Sequence, residues 1–423
     1  MSFRMKTKAF AASLLATTLV SPAFANEGSV PKDVPRLDHV FVIVMENHGY
    51  GQIIGNPNAP FVNEYAEAVN SATNYFAVAH PSLTNYLEIV GGSNFGVHGD
   101  NNPDWHNPTC TPNLQSGVVI TDHPASPNVC PITGEGTEAA TPAVDCSNEV
   151  QCAPGSNAGV NNIDGVLSIA AATNISGKTI ADQLVAAGLS WKSYQESLAP
   201  TGADGVNSSD GLFTDRSNIP GVIRGEAQHL IKLYAVKHNP FVYFRSIQEG
   251  ERGLGLDHVA GFQGPQGLYE DLASGNVPNY SLIAPNQCNN QHGRSNAGPQ
   301  CDFDPNDDGT QQGLNPGLIY QGDLTPRNIV KAIHASPVWQ EGRNAIVVVW
   351  DENDFSVSPT VNQVVLTVDT NYGVLGVKSS TFYTHFSLLK SVEAGFGLPC
   401  VNHACDASTK VMSDLFAAGD GQQ

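Results

Sequence analysis

The sequence is poor in basic residues and, beyond its first 25 positions, in long apolar runs. It has 20 Lys and Arg against 40 Asp and Glu, which gives a formal net charge of −20 at pH 7. Proteins that bind the phosphate backbone of nucleic acid present basic patches, so this balance disfavours nucleic acid as a partner. No later stretch approaches the roughly 18 consecutive apolar residues of a membrane span, so we expect no transmembrane segment.

Motifs for three common kinds of chemistry are missing or incomplete. The chain has no Cys-x-x-Cys pair, which argues against zinc bound by cysteines. The segment NISGKT (174–179) contains Gly-Lys-Thr but lacks the earlier glycine of a P-loop, so it is better explained as the cap of a helix that begins near Thr179. The segment GGSNFG (91–96) misses the Gly-x-Ser-x-Gly spacing of a hydrolase nucleophile elbow.

The first 25 residues have the three parts of a secretory signal peptide. Three cations precede an apolar stretch from Ala9 to Val20, and Ala-Phe-Ala follows at 23–25. We expect cleavage after Ala25, and hence a protein that is secreted or periplasmic. Removal of 25 of the 423 residues, three of them cations, would leave 398 residues and change the net charge from −20 to −23.

All eight cysteines follow this segment, and an even number in an exported chain predicts disulfides. The segment 99–163 is rich in Gly, Pro, Asn and Cys and contains little from which to build a core, so we expect a disulfide-held insertion within a single domain that spans 26–423. The sequence does not fix the connectivity. Pairing of nearest neighbours would join Cys110 with Cys130, Cys146 with Cys152, Cys288 with Cys301, and Cys400 with Cys405.

Apolar runs and helical patterns alternate along the rest of the chain. The runs at 40–45, 239–244, 280–285 and 344–350 are typical of buried strands. This alternation predicts an α/β fold, with a doubly wound, mostly parallel sheet and helices on both of its faces. The predicted helices lie at 58–69, before Gly188, after an N-cap at Thr325 with Pro326 in the first position, and at 386–397.

Two of the predicted strands end in acidic residues. Glu46 and Asn47 follow the first of them, and Asp351 and Glu352 follow the last. Ligands of open α/β sheets bind at the carboxyl ends of the strands, and carboxylate and amide oxygens suit a hard divalent cation. Acidic residues at one strand end often only cap the next helix, but two such ends together favour a metal site.

The segment AHPSLTNYLEIVGG places Ser82 at the start of a predicted helix. A serine at this position is usually only a helix cap. The same position suits a nucleophile, because the free N–H groups and the positive end of the helix bind phosphate and a bound cation can lower the pKa of the serine.

Six blocks lie in order between about residues 36 and 400: VFVIVMENHGYG, AHPSLTNYLEIVGG, KHNPFVYF, APNQCNNQHG, VVVWDENDF and YTHFSLLKSVEAGFGLP. Together they resemble the phosphoesterase family of bacterial acid phosphatases and phospholipases C, within the alkaline-phosphatase-like superfamily. The resemblance implies a divalent metal bound by Glu46, Asn47, Ser82, Asp351 and Glu352. Because Glu352 stands where many superfamily members have His, we expect magnesium, calcium or manganese, or iron, rather than zinc.

The same resemblance implies the catalytic residues. Ser82 matches the nucleophile and Asn85 the residue that binds the phosphoryl oxygens, although this chain has Thr84 where many relatives have Pro. His258, His292 and His385 match positions that bind phosphate or protonate the leaving group, and each could instead be a structural histidine. Asn286 and Asn289 are in the same block as His292 and could orient it.

Together these features predict a secreted, metal-dependent acid phosphatase that cleaves phosphate monoesters of small molecules or phospholipids through a phosphoserine at Ser82. A phospholipase C would use the same nucleophile and metal. We favour it less, because the chain ends soon after GFGLP, which leaves no room for the C-terminal β domains of such relatives. The third hypothesis is a non-enzymatic, calcium-dependent binding protein. The segment 301–315 partly fits a calcium loop, but has Asn315 where an EF-hand has Glu. The oligomeric state is not predicted.

Overall fold

The computed structural model describes residues 27–95, 97, 100, 175, 177–198, 233–294, 297–353 and 362–416, and the backbone at 111–112 and 129–130. The predicted signal peptide and nearly all of the 99–163 insertion lie outside these residues. The strands are β1 (His39–Met45), β2 (Asn70–Ala72), β3 (Tyr75–Phe76), β4 (Thr111–Pro112), β5 (Val129–Cys130), β6 (Trp191–Gln195), β7 (Val259–Ala260), β8 (Tyr280–Ala284), β9 (Asn344–Trp350), β10 (Leu366–Thr370), β11 (Lys378–Ser379) and β12 (Tyr383–Thr384).

One sheet of eight strands, in the order β11-β2-β10-β9-β1-β8-β6-β7, organises the described residues. Its neighbours pair in parallel except around β10, which is antiparallel to both β9 and β2. The predicted α/β fold with a mostly parallel sheet is therefore confirmed. Two short parallel pairs, β12-β3 and β4-β5, lie apart from it.

Helices connect the strands. The α-helices are α1 (Tyr50–Ile53), α2 (Pro60–Ala68), α3 (Ser82–Gly91), α4 (Ile180–Ala186), α5 (Arg245–Gln248), α6 (Leu268–Ser274), α7 (Pro316–Ala335) and α8 (His385–Phe396). Single turns of 3₁₀-helix occur at Val236–His238, Pro240–Tyr243, Glu251–Gly253, Leu256–His258, Gln311–Gly313, Pro337–Gln340 and Asn402–Cys405. None of the helices in the described part of the chain combines the length and the apolar character that a membrane crossing requires.

The register of the central strands brings the two acidic strand ends together. The residues of β1 and β9 pair one to one, and Met45 lies opposite Trp350 at the carboxyl end. Both strands consist almost entirely of buried apolar residues, as expected for a sheet that is covered on both faces. Glu46 and Asp351 therefore leave the sheet side by side.

The helix signals in the sequence are partly confirmed. Thr179 caps α4 and accepts a hydrogen bond from the N–H of Ala181. Helix α3 starts at Ser82, and its ten residues are all buried. It is followed by the C-cap residue Gly92, whose positive φ of 66° is a conformation that glycine adopts without steric cost.

Two predicted elements are wrong. The run 239–244 is buried but forms a 3₁₀-helix at Pro240–Tyr243 rather than a strand. A short apolar run does not distinguish the two, and a proline at its start favours a helical turn. Helix α7 begins after Asn315, whose side chain accepts hydrogen bonds from Gly317 and Leu318, so Pro326 lies inside the helix instead of at its start.

Two of the four predicted disulfides fall on described residues, and both are present. Cys288 is bonded to Cys301, and Cys400 to Cys405. The side chains of the other four cysteines lie outside the described part of the structure, so their pairing stays a prediction. The first bond closes the loop after β8, which carries residues of the candidate active site.

Candidate active site

The carboxyl ends of β1 and β9 form the floor of the site. The N–H of Asp351 donates to the carbonyl of Met45 at 2.9 Å, which extends the pairing by one residue. Asn47 turns the chain away with a positive φ of 63°, a conformation that asparagine tolerates better than most residues. Its N–H donates to Asp351 Oδ1 at 3.1 Å. The two acidic strand ends are thus joined through their backbones.

Ser82 lies between two carboxylates. Its Oγ is 3.1 Å from Glu46 Oε2 and 3.1 Å from Glu352 Oε1. Pro81, not Ser82, occupies the N-cap position of α3, and no side chain there bonds the helix backbone. The Ser82 hydroxyl therefore faces the acidic cluster instead of capping its helix.

Asn85 and His80 fix the segment that carries Ser82. Asn85 Oδ1 accepts from the N–H groups of Val78 and Ala79, each at 3.1 Å, and its Nδ2 lies 3.2 Å from Glu352 Oε2. His80 Nδ1 contacts that same oxygen of Glu352. The structure thus brings Asn85 beside Glu352, where its side-chain oxygen bonds backbone and its amide group bonds a carboxylate.

The acidic cluster of Glu46, Asp351 and Glu352 is almost entirely buried. Burial, followed by the charges of Glu46 and Glu352, raises the pKa of Asp351 well above its usual range. Burial, followed by the charges of Asp100 and Glu46, does the same for Glu352. For Glu46 burial also opposes ionisation, but His238, with His292 and Lys237, outweighs it and lowers the pKa to about 2.

These residues fit a hard divalent cation. Buried carboxylates that repel one another need positive charge, and Asp351 Oδ2 is buried without a hydrogen-bond partner among the described residues. Carboxylate and hydroxyl oxygens are the ligands such cations prefer. The donor set is therefore consistent with a metal, although it does not identify which.

A second set of possible ligands shares Glu46. Ligand atoms of Glu46, His238 and His292 all lie within 4.8 Å of one another. His238 Nε2 is 2.9 Å from Glu46 Oε1, and its ring stacks on Tyr86 with 5.2 Å between centroids. Asn290 links the two histidines, because its Oδ1 accepts from the N–H of His292 and its Nδ2 is 3.2 Å from His238 Nδ1.

Lys237 brings a positive charge to the nucleophile. Its Nζ is 3.4 Å from Ser82 Oγ, 3.1 Å from His292 Nε2 and 2.7 Å from Asp100 Oδ2. Burial opposes the charge of Lys237, but Asp100 and Glu46 outweigh it and raise its pKa. Burial, followed by the charge of Lys237, lowers the pKa of His292 to about 4.

The other two predicted histidines have different surroundings. His385 Nε2 lies 2.6 Å from the carbonyl of Asp351 and its Nδ1 lies 2.8 Å from the Tyr75 hydroxyl. Burial lowers its pKa to about 4, so a neutral ring supports the strand end that carries Asp351. Both ring nitrogens are engaged by protein groups, which places His385 behind the acidic cluster.

The structure does not bring His258 to the cluster. Its ring nitrogens are each 3.1 Å from a backbone carbonyl, of Trp191 and of Gly253, and the ring stacks on Trp191. Trp191 is the first residue of β6, so His258 lies at the amino end of this parallel strand. Ser82 lies at the carboxyl ends of the strands, on the opposite side of the sheet's length. The family position that the resemblance implies for His258 is therefore not part of the site in this structure.

Asn286 and Asn289 also serve other partners. Asn286 Nδ2 donates to Ser197, and Asn289 Nδ2 bonds both oxygens of Glu196 at 2.7 and 2.8 Å. Their neighbour Asn290 is the residue that orients His292. The sequence analysis assigned no role to Asn290. It also assigned none to four other residues of the candidate site: His80, Asp100, Lys237 and His238. Lys237 and His238 open the block KHNPFVYF, which was the one signal for them.

The polar side chains of segment 301–315, which partly fits a calcium loop, form hydrogen bonds within the fold. Asp304 accepts from Asn315 N–H and bonds His48 Nε2 at 2.9 Å, while Asp308 accepts from Thr310. Asn315, at the position where a calcium loop would have Glu, caps α7. His48 ties this segment to the acidic cluster through its second ring nitrogen, which is 3.1 Å from the carbonyl of Glu46.

Comparison with known proteins gives consistent results. Residues 56–301 match the model of the Phosphoesterase family. A phosphatidylinositol-3-phosphatase from Mycobacterium tuberculosis is 23% identical over 401 residues, which cover 94% of this chain and 89% of that protein. An acid phosphatase from Aspergillus fumigatus is 23% identical over 360 residues, covering 85% of this chain and 55% of the fungal protein.

A probable acid phosphatase from Kluyveromyces lactis is 22% identical, with 85% of this chain and 58% of that protein covered. The chain thus spans little more than half the length of these two fungal relatives. Among solved structures, that of a protein in the alkaline phosphatase superfamily from Vibrio parahaemolyticus is similar, with a TM-score of 0.44, 10% identity, and coverage of 93% of this chain and 75% of the other.

Proposed function

This chain belongs to the phosphoesterase family, and we propose that it is a metal-dependent acid phosphatase that cleaves phosphate monoesters with Ser82 as the nucleophile. The family match and the acid phosphatase relatives support a phosphoric ester hydrolase. The observation that carries the proposal is the position of Ser82 Oγ, 3.1 Å from a carboxylate oxygen of Glu46 and of Glu352, at the first residue of helix α3.

Glu46, Asp351 and Glu352, with the Ser82 hydroxyl and Asn47 of the adjoining turn, would hold a divalent cation. When bound, the cation supplies positive charge that lowers the pKa of the Ser82 hydroxyl and offsets the charge on the phosphoryl oxygens. We propose magnesium, calcium, manganese or iron, since the donors are mainly oxygens.

The protein's own groups account for the remaining steps. The two carboxylates that contact Ser82 orient Oγ toward phosphorus and accept the proton that the hydroxyl releases, so that Oγ forms the bond to phosphorus while the bond to the ester oxygen breaks. The positive N-terminal end of α3, of which Ser82 is the first residue, stabilises charge on the phosphoryl oxygens. Water then hydrolyses the phosphoserine.

His292 is the proposed acid for the leaving group. It donates a proton to the departing alkoxide and later takes one from the attacking water. Its pKa of about 4 means that the ring gains a proton only under acid conditions. This dependence favours an acid pH optimum. Asn290, bonded to the His292 backbone, keeps the ring near His238 and Glu46.

The proposed substrates are phosphate monoesters of small molecules or of phospholipids. The mycobacterial relative is named for a lipid substrate of this kind. We further propose that residues 26–423 form one domain with the 99–163 insertion, that Ala25 precedes the cleavage site, and that the enzyme is secreted or periplasmic.

Hydrolysis of p-nitrophenyl phosphate and of p-nitrophenylphosphorylcholine by the purified chain tests the proposal, with and without chelator. We expect turnover of the monoester, its loss on chelation, its recovery with one of the four metals, and its loss in Ser82→Ala. Preference for the choline diester would establish a phospholipase C instead. If wild type turned over neither substrate after metal was restored, the enzyme proposal would be wrong and a binding protein would be favoured.

A further inference from the structure

A carboxylate from outside helix α3 bonds the donors beside the nucleophile. Asp100 Oδ1 accepts from the N–H of Leu83 at 3.0 Å, at the second residue of the helix. Its Oδ2 accepts from Lys237 Nζ at 2.7 Å. Lys237 Nζ is itself 3.4 Å from Ser82 Oγ. Asp100 therefore engages two hydrogen-bond donors that border the reacting oxygen.

Those two donors are the ones an attacked phosphoryl group needs. When Ser82 Oγ attacks phosphorus, the nonbridging oxygens lie beside Oγ, where backbone N–H groups at the helix start and a nearby ammonium can bond them. The next N–H group, that of Thr84, already donates to the carbonyl of Pro81. The N–H of Leu83 and the ammonium group of Lys237 are thus arranged to bind an anion. In this structure the carboxylate of Asp100 occupies the position of that anion.

Charge prevents Asp100 and a phosphoryl group from sharing this place. Lys237 is the ammonium whose charge acts on Glu46, Asp351 and Glu352 as well as on Asp100. A phosphate monoester dianion brought against Asp100 would add like charge to a site that already holds the acidic cluster. The side chain of Asp100 is 16% exposed, in contrast to the buried cluster, so it has access to solvent.

We propose that Asp100 occupies the position of a phosphoryl oxygen in the substrate-free enzyme, and that the N–H of Leu83 and the ammonium of Lys237 pass from Asp100 to the phosphoryl group when substrate binds. Lys237 is then a further catalytic residue, and Asp100 is an internal competitor of substrate and of product phosphate. The same movement frees His292 Nε2, which Lys237 contacts in the substrate-free state. This inference rests on the proposed phosphatase function.

The alternative role of Asp100 predicts opposite results. If Asp100 only positioned Lys237 for catalysis, its removal would loosen the lysine and weaken the binding of phosphate. If Asp100 competes with phosphate, its removal strengthens that binding. The two roles therefore differ in the sign of one measured quantity.

Isothermal titration of inorganic phosphate into the purified full chain, with and without added divalent metal, measures that quantity without any turnover. We expect Asp100→Asn to bind phosphate about tenfold more tightly than wild type, since a like charge is removed from the binding position. Lys237→Met is expected to bind phosphate at least about tenfold more weakly and to lose on the order of 10²-fold in kcat, the usual effect of removing one donor to the transition state.

The KM and kcat for p-nitrophenyl phosphate complete the test. Asp100→Asn should lower KM in parallel with the dissociation constant of phosphate. Asp302→Asn and Lys331→Met make the same chemical changes at exposed positions, and both should match wild type. Thermal melting of each variant checks that it is folded.

Weaker or unchanged phosphate binding by folded Asp100→Asn would overturn the proposal. Unchanged binding by folded Lys237→Met would also overturn it, because the lysine would then have no contact with the phosphoryl group. Failure of the proposed function looks different, since wild type would bind phosphate yet hydrolyse no monoester.

Discussion

Helices α2 and α3 both begin with N–H groups bonded to a carboxylate from outside the helix, but the two carboxylates have different surroundings. At α2, Asp323 accepts from Phe61 and Val62 at 3.0 and 2.8 Å. At α3, Asp100 divides its oxygens between Leu83 and Lys237. The first is buried and bonds two neighbouring N–H groups, whereas the second is partly exposed and adjoins Ser82.

The comparison teaches how a structural carboxylate differs from a functional one. Asp323 supplies the cap that α2 lacks, because Ala59 at its N-cap position has no side-chain oxygen. The acidic cluster beside α3 has the opposite character, since its carboxylates repel each other and Asp351 Oδ2 has no partner among the described residues. A buried carboxylate is therefore not by itself the sign of a functional site, whereas a buried carboxylate that lacks hydrogen-bond donors is.

Loss of the nucleophile should produce the largest effect. Ser82→Ala is expected to lower kcat for p-nitrophenyl phosphate on the order of 10⁴-fold or more, as removal of a covalent nucleophile does in other hydrolases. Phosphate binding should persist, because Leu83 and Lys237 remain. Stopped assays with inorganic phosphate detection measure the first quantity and calorimetry the second. Residual activity within tenfold of wild type would exclude a phosphoserine on Ser82.

A substitution in the acidic cluster should lower activity without lowering the stability of the metal-free protein. Asp351→Asn is expected to lower kcat about 10³-fold through the weakened metal site, yet not to lower the melting temperature in chelator, because it removes a buried carboxyl group whose ionisation is opposed by burial and by the charges of Glu46 and Glu352. Activity titrated with manganese and thermal melting in chelator measure the two effects. A marked loss of stability without metal would show that this carboxylate is structural.

The carboxylate at α2 should show the reverse pattern. Asp323→Ala leaves the N–H groups of Phe61 and Val62 without their acceptor, so we expect a loss of about 1–3 kcal/mol in the free energy of unfolding and an unchanged kcat/KM. Urea denaturation measures the loss, with the exposed Asp302→Ala as the control. If kcat/KM fell more than the stability, the division between the two helix starts would be incorrect.

A smaller, pH-dependent effect is expected at Glu393 of α8, where Val401 N–H donates to Oε1 at 3.0 Å. Burial raises the pKa of Glu393 well above its usual range. The folded state then binds more protons than the unfolded state just above pH 4.5, and stability falls as pH rises through that window. Glu393→Gln should therefore gain about 1 kcal/mol at pH 7 and little at pH 4. Melting at both pH values measures this, and equal shifts at the two would contradict it.

The sequence predicted features that depend on local periodicity. The long apolar runs before Glu46 and Asp351 are strands of a parallel sheet, and parallel pairing alone brings their carboxyl ends together. Local chemistry also predicted Thr179 as a cap. It misled at Pro326, because the tertiary packing of α7 accommodates a proline inside the helix that begins after Asn315.

The rest of the site could not be predicted because it depends on contacts between distant segments. Lys237 meets Asp100 across 137 positions and His292 across 55, and no spacing rule connects them. His258 shows the converse, since its match to a family position did not place its ring beside Ser82. Motif matches report residue types, whereas the orientation of each side chain is set by its neighbours in space.

The Cys288–Cys301 bond links formation of the candidate active site to the oxidation of two cysteines. Asn290 and His292 belong to the segment that this bond closes, so their conformational freedom is limited by a covalent link as well as by packing. The unfolded chain has no such limit until two thiols have been oxidised. The histidine pair is therefore coupled to redox chemistry that precedes catalysis, and a strongly reducing environment would remove one of the constraints that hold it.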